Sequence, residues 1–189
     1  MKNIEQSTQV LREEHRLIEC ATLAFADIIK ELERGSVLDS RRIWELTQAF
    51  KTYVARWHHS KEDFLLSMLR ARGGLSADYP GRIFYEEHQR IQPLLANLEQ
   101  TAHAYLQATH GTLESLTRSL GEVVDFYPGH MWKADHLLFP LAGELLSQAD
   151  QDVLIQQFDW IESAVGSDTD EQLRAIITEF RPEFSLMSS

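Results

Sequence analysis

Two stretches decide the fold: HHSKEDFLLSML, from His58 to Leu69, and HMWKADHLLFPL, from His130 to Leu141. Both are rich in helix formers, with leucines recurring at three- and four-residue spacing. A second matching pair accompanies them, EEHRLI from Glu13 to Ile18 and EEHQRI from Glu86 to Ile91, and its shift along the chain equals theirs to within one position. Two helical hairpins related by a near-constant shift imply a duplicated unit with an approximate two-fold axis.

Working outward, turn-forming clusters are sparse. They fall at Gly35-Ser36, Gly73-Gly74, Thr109-His110-Gly111 and Ser147 to Asp150, with a polar break from Gly166 to Asp170. The segments between them show helical spacing, as in Leu17, Cys20, Ala21, Ala24 and Ile28, and none alternates like a half-buried strand. The pattern predicts four long helices, roughly 5–34, 39–71, 77–108 and 112–146, and two short ones, roughly 149–165 and 169–181. Asp39 is placed to cap the second helix, and Ser147 with Asp150 resembles a capping box for the fifth. Pro80 fits the first turn of the third helix. Pro93 and Pro128 are expected to kink their helices, and Pro140 to end or bend the fourth. Long helices joined by short loops make an all-α fold, an up-down-up-down four-helix bundle over residues 1–146. Residues 147–189 form a short helical extension packed on that bundle.

The chain has 189 residues, enough for one well-buried domain. Its 29 acidic and 18 basic residues give a formal net charge of −11, which disfavours nonspecific contact with nucleic acid or an anionic membrane. Cys20 is the only cysteine, so neither an intramolecular disulfide nor a cysteine-built metal site is available. No apolar run approaches the ~20 residues of a membrane span. The polar stretch from Met1 to Glu14 lacks the core of an export signal, and a cytoplasmic protein is expected.

Counting from the loops converts the histidines into geometry. His15 precedes Ser36 by one position fewer than His58 follows it. His58 and His88 are equidistant from Gly73, and His88 and His130 are equidistant from Thr109. At ~1.5 Å per residue, four antiparallel helices bring one histidine each to the same height. Glu62, four positions beyond His58, shares its helix face. In the second copy that position is Ala134, and the acid follows as Asp135. A spacing of five turns a side chain by ~140°, so Asp135 reaches the centre only through a local distortion of the helix or ions lying off its axis. A lone core histidine is more often hydrogen-bonded than metal-bound. Four at one level, with HxxxE attached, point to a cation, because burying them without one costs several kcal/mol in desolvation. The same counting sets aside His103, His110 and His136. His59, turned ~100° from His58, is left as a candidate for a supporting or additional ligand.

These residues resemble the hemerythrin-like, or HHE cation-binding, family over roughly residues 8–146. The resemblance implies two non-haem irons held between the helices by histidines and two bridging carboxylates. Carried over by motif, the metal ligands are His15, the HxxxE pair His58 and Glu62, His88, and the HxxxxD pair His130 and Asp135. Oxygen-carrying members bear a second histidine spaced by four from the first on the third helix, where this chain has Phe84 and Gln92. Water, His59 or nothing fills that place.

Imidazole and carboxylate ligation without thiolate suits iron, manganese or zinc. An open position on iron(II) binds O₂, NO or peroxide, which makes a di-iron protein acting on a small diatomic ligand or peroxide, in sensing or stress defence, the first reading. Iron storage, sensing or donation for repair is the second, and a helical interaction module with a structural metal the third. Trp57, Trp132, Phe64, Phe126 and Tyr127 flank the ligand helices. Most of them are read as core, while Tyr127, three positions before His130, is placed to donate a hydrogen bond to the site. Metal affinity is expected to decline below about pH 6, where protons compete for imidazole.

Overall fold

A computed structural model describes residues 6–73, 81–108 and 110–183. Among them the regular elements are helical. They run α1 (Gln6–Glu33), α2 (Ser40–Thr52), a π-helical segment (Tyr53–His58), α3 (His59–Ala71), α4 (Gly81–Leu106), α5 (Thr112–Lys133), a second π-helical segment (Ala134–Leu138), α6 (Phe139–Leu145), α7 (Gln148–Val165) and α8 (Thr169–Phe180). The expected second and fourth helices are thus continuous rods, each with one widened turn. The expected start of the third helix, with Pro80, lies outside the described residues.

Local chemistry accounts for the ends. Gly35 takes a left-handed conformation (φ +80°) just past α1, where the Ser36 amide closes back on the Glu31 carbonyl. Asp39 accepts from the Arg41 amide to cap α2. Ser147 and Asp150 form the reciprocal capping box of α7. The helices α4 and α5 run on through Pro93 and Pro128. Neither proline has an N–H to donate, and the widened turns lie elsewhere, where the His59 amide bonds to Val54 and the Phe139 amide to Ala134, each five positions back. Pro140 opens α6 immediately after the second of these turns.

The rods pack as a helical bundle, with α5 against α4 and α1, and α2 against α4. Its apolar interior is divided in two. One cluster gathers Leu17, Ile18, Phe25, Phe50, Ile91 and Tyr127 among others; the second gathers Leu11, Leu65, Phe84, Leu138, Phe139 and Phe158. On every rod the expected histidine lies between a residue of one cluster and a residue of the other. A polar layer is therefore sandwiched between two dry ones.

The two C-terminal helices contribute to both clusters. Leu173 and Ile177 of α8 belong to the first, and Leu154 and Phe158 of α7 to the second. No described helix is long and apolar enough to cross a membrane. Because Leu173 is fully buried, Leu173→Ala is expected to destabilise the metal-free chain by ~2–5 kcal/mol in chemical denaturation. Val153→Ala, at an exposed position on α7, is expected to change stability by less than about 0.5 kcal/mol.

Candidate metal centre

Glu62 is the midpoint of the polar layer. It is fully buried, and each of its oxygens faces a pair of imidazoles. Oε1 lies 3.5 Å from Nε2 of both His15 and His58; Oε2 lies 3.0 Å from Nε2 of His88 and 3.2 Å from Nε2 of His130. Four rods thus present one ring nitrogen each to a single carboxylate.

The other nitrogen of each ring faces outward to a carboxylate of its own. His58 Nδ1 is 2.9 Å from Glu14, His130 Nδ1 is 3.0 Å from Glu87, His88 Nδ1 is 2.7 Å from Asp63, and His15 Nδ1 is 3.3 Å from Asp135. Such partners fix ring orientation and leave Nε2 free to bind inward. The duplication governs this outer ring. Glu14 and Glu87 each precede a site histidine in the repeated EEH, and the shift from Asp63 to Asp135 is the same as that from His58 to His130. The repeat counterpart of Asp135 is therefore Asp63, not Glu62. Although its turn is widened, Asp135 stands behind His15, a third exposed, rather than between the rods.

His59 is brought fully inside. Its ring stacks on His88 with centroids 4.2 Å apart and meets His130 edge-on at 5.5 Å. Helix arithmetic explains this: with His58 at 0° and His59 at ~100°, Glu62 falls at ~40°, between them. Phe84, at one of the positions where the carriers bear their extra histidine, is fully buried against the His130 ring. A histidine on the neighbouring rod lies where the third helix has none.

Two groups of converging donors result: His59, Glu62, His88 and His130, and His15, His58 and Glu62, with the donor atoms of each within 4.8 Å of one another. Glu62 belongs to both, and Asp135 to neither. Five buried donor atoms here have no hydrogen-bond partner: His15 Nε2, His58 Nε2, both nitrogens of His59 and Glu62 Oε1. Unpaired polar atoms converging in a dry interior fit cations, which would satisfy them together. The remaining histidines lie elsewhere. His103 is exposed beside Trp44, His110 is exposed, and His136 stacks on Trp132 at the surface. Phe126 stacks on His130 within the core. Tyr127 is fully buried 6.3 Å from the His59 ring, its hydroxyl without a partner.

Electrostatics follow from the same contacts. Burial opposes charge on His15, but Asp135 and Glu62 outweigh it and raise its pKa to about 9. Burial opposes charge on His88 likewise, and Asp63 with Glu62 raises it to about 9. Burial also disfavours charge on Glu62, yet the surrounding imidazoles hold it well below the usual carboxylate range. His59 has no carboxylate of its own; burial, then the neighbouring histidines, push it well below 6.5.

Protons on His15 and His88 compete with metal up to about pH 9, so the decline in affinity begins well above the pH 6 expected of unperturbed imidazole. In the metal-free fold the sign is opposite. A pKa raised from 6.5 to about 9 contributes stability that is complete below 6.5 and lost as pH rises through 9. The melting temperatures of metal-loaded and metal-free chain are therefore expected to diverge between pH 6.5 and 9, and metal binding at neutral pH to release protons measurable by calorimetry in buffers of different ionisation enthalpy.

The chain matches no curated protein and no solved structure. Residues 6–142 do match the hemerythrin HHE cation-binding domain, a span running from the first turn of α1 into α6 and enclosing every residue of the polar layer. The histidine layer and that match agree in extent and in chemistry, and the chain belongs to the hemerythrin HHE cation-binding family.

Proposed function

We propose that the chain holds two iron ions sharing Glu62, one among His59, His88 and His130 and the other between His15 and His58, and that the second is where a small ligand such as O₂, NO or peroxide binds. One observation carries this reading. The repeat places Met131 opposite His59, since both follow the site histidine of their rod, so one ion has three imidazole donors and the other has two. The donor set is imidazole and carboxylate without thiolate, which suits iron. Iron(II) with an open position supplies the electrons that bind and activate such ligands.

The protein's part is access and exclusion. A cavity of about 460 Å³ opens between α1 and α5, with His15, Met131, Pro128, Trp132 and Asp135 among its walls. It reaches the two-histidine side and gives a small molecule a path to it. Arg12, 3.9 Å from Asp135 and stacked over Phe139 at 5.3 Å, stands at that mouth. On the three-histidine side Phe84 and Phe126 pack against the His130 ring and help to exclude water. Asp135 acts here by holding His15 through Nδ1, as Asp63 holds His88. A cytoplasmic setting accords with a single cysteine and with the lack of a spanning helix among the described residues.

Protein purified with or without air is expected to carry two irons per chain, with an optical spectrum that azide alters. Metal that chelators strip readily, with no response to azide or NO, would favour iron handling instead. Glu62→Ala is expected to lower bound iron by at least one equivalent, while His103→Ala leaves it unchanged; unchanged iron in the first or lost iron in the second overturns the assignment. Met131→His, close in volume, is expected to keep two irons and abolish the azide response by filling the open side. An undiminished azide response would place the ligand elsewhere.

A further inference from the structure

Lys61 is a fully buried lysine, one position before Glu62 and outside both donor groups. Its ammonium donates to Glu14 Oε1 and, at 2.6 Å, to Glu162 Oε1 of α7. It also lies 4.6 Å from the Trp57 ring centre and 5.6 Å from that of Phe158, also on α7. Glu14 accepts from Trp57 Nε1 at 2.9 Å and, through its other oxygen, from His58 Nδ1 at 2.9 Å. A continuous polar chain therefore runs Glu162–Lys61–Glu14–His58, from the C-terminal extension to a ligand histidine.

The duplicated half contains its own comparison. Lys133, the repeat counterpart of Lys61, bonds Glu87 at 2.7 Å, and Glu87 holds His130. There the arrangement meets solvent, with Lys133 25% exposed and Glu87 19%, against 0% for Lys61 and 7% for Glu14. Water can replace Lys133 beside Glu87. Among the described residues Lys61 is the one lysine or arginine bonded to Glu14, α7 and Trp57 seal that side, and a buried carboxylate stripped of such a cation is strongly disfavoured. Lys61 in turn is a buried cation, and Glu162 supplies its second counter-charge.

We propose that Lys61 is a positioning residue for the ion between His15 and His58, and that α7 acts on that ion through Glu162. The inference rests on the two-ion reading above. Lys61 keeps Glu14 charged and aimed at His58 Nδ1, which sets the orientation and donor strength of the His58 ring. Glu162 moderates how far Lys61 withdraws charge from Glu14. The extension thus regulates the more open of the two ions and leaves the other alone.

The test is an anaerobic titration of the full metal-free chain with ferrous iron, followed by the azide spectrum of the oxidised form. Wild type is expected to show two binding steps. Lys61→Met is expected to weaken one step by about 10–100-fold, the range seen when such outer partners of metal ligands are removed, and to alter the azide spectrum, while the other step stays put. Lys133→Met is expected to change both steps by less than about threefold, since water can stand in. Glu162→Gln, at a partly exposed site that does not endanger folding, is expected to weaken the same step by a smaller factor. The proposal is overturned if Lys61→Met moves neither step or both equally, if Lys133→Met has the same effect, or, should Lys61→Met not fold, if Glu162→Gln leaves binding and the azide spectrum unchanged. A wild type with fewer than two steps would instead refute the two-ion reading, and is told apart because it needs no variant.

Discussion

A single buried carboxylate, Glu62, sets the terms for the rest of the molecule. Fully removed from water, it is tolerable only among groups that answer its charge, and four Nε2 atoms from four rods do so at 3.0–3.5 Å. Those imidazoles become buried in turn and need partners for their other nitrogens, which the outer ring of Glu14, Asp63, Glu87 and Asp135 provides. The apolar clusters above and below confine this arrangement to one layer. Packing and polarity are thus coupled: the rods hold the donors in register, and the donors prevent the rods from sliding.

Duplication explains both the symmetry and its two breaks. The outer carboxylates, the four histidines and the paired lysines obey one shift between the halves, constant to a single position. Ala134 is the repeat counterpart of Glu62, and Met131 that of His59. At the first break, one copy carries a buried carboxylate and the other a buried alanine. At the second, one side gains an imidazole and the other a thioether beside a cavity. The geometry of the two halves is similar, and their chemistry differs because two residues differ.

Most of this was legible in the chain itself. Helical periodicity and sparse turns gave the rods to within a position or two where they are described, and loop-to-histidine counts equal to within one position placed four imidazoles at one height. The widened turns left no mark in composition, and they absorb a residue without changing the pattern around them. Asp135 was read by its distance from His130, which made it a counterpart of Glu62; aligning the two halves residue by residue pairs it with Asp63. The same alignment carries Glu14 with Glu87 and Lys61 with Lys133. Sequence spacing alone leaves His59 open between a supporting and an additional ligand, because a neighbour in sequence lies ~100° away, although Glu62 sits between the two rings at ~40°.

What periodicity does not encode is contact between distant elements, and α7 shows why that matters. Its Phe158 and Glu162 lie one turn apart and reach the same lysine, one as an apolar wall and the other as a counter-charge. An isolated bundle would leave Lys61 and Glu14 beside water, where an ion pair contributes little and water readily replaces either partner. Covered by α7, the pair becomes dry and its orientation fixed, so that a surface feature in one half of the duplication is an interior constraint in the other. The extension breaks the symmetry of the polar layer from outside, through Glu14 on α1 and Lys61 on α3, beside the group of His15, His58 and Glu62, which has one donor residue fewer than the other.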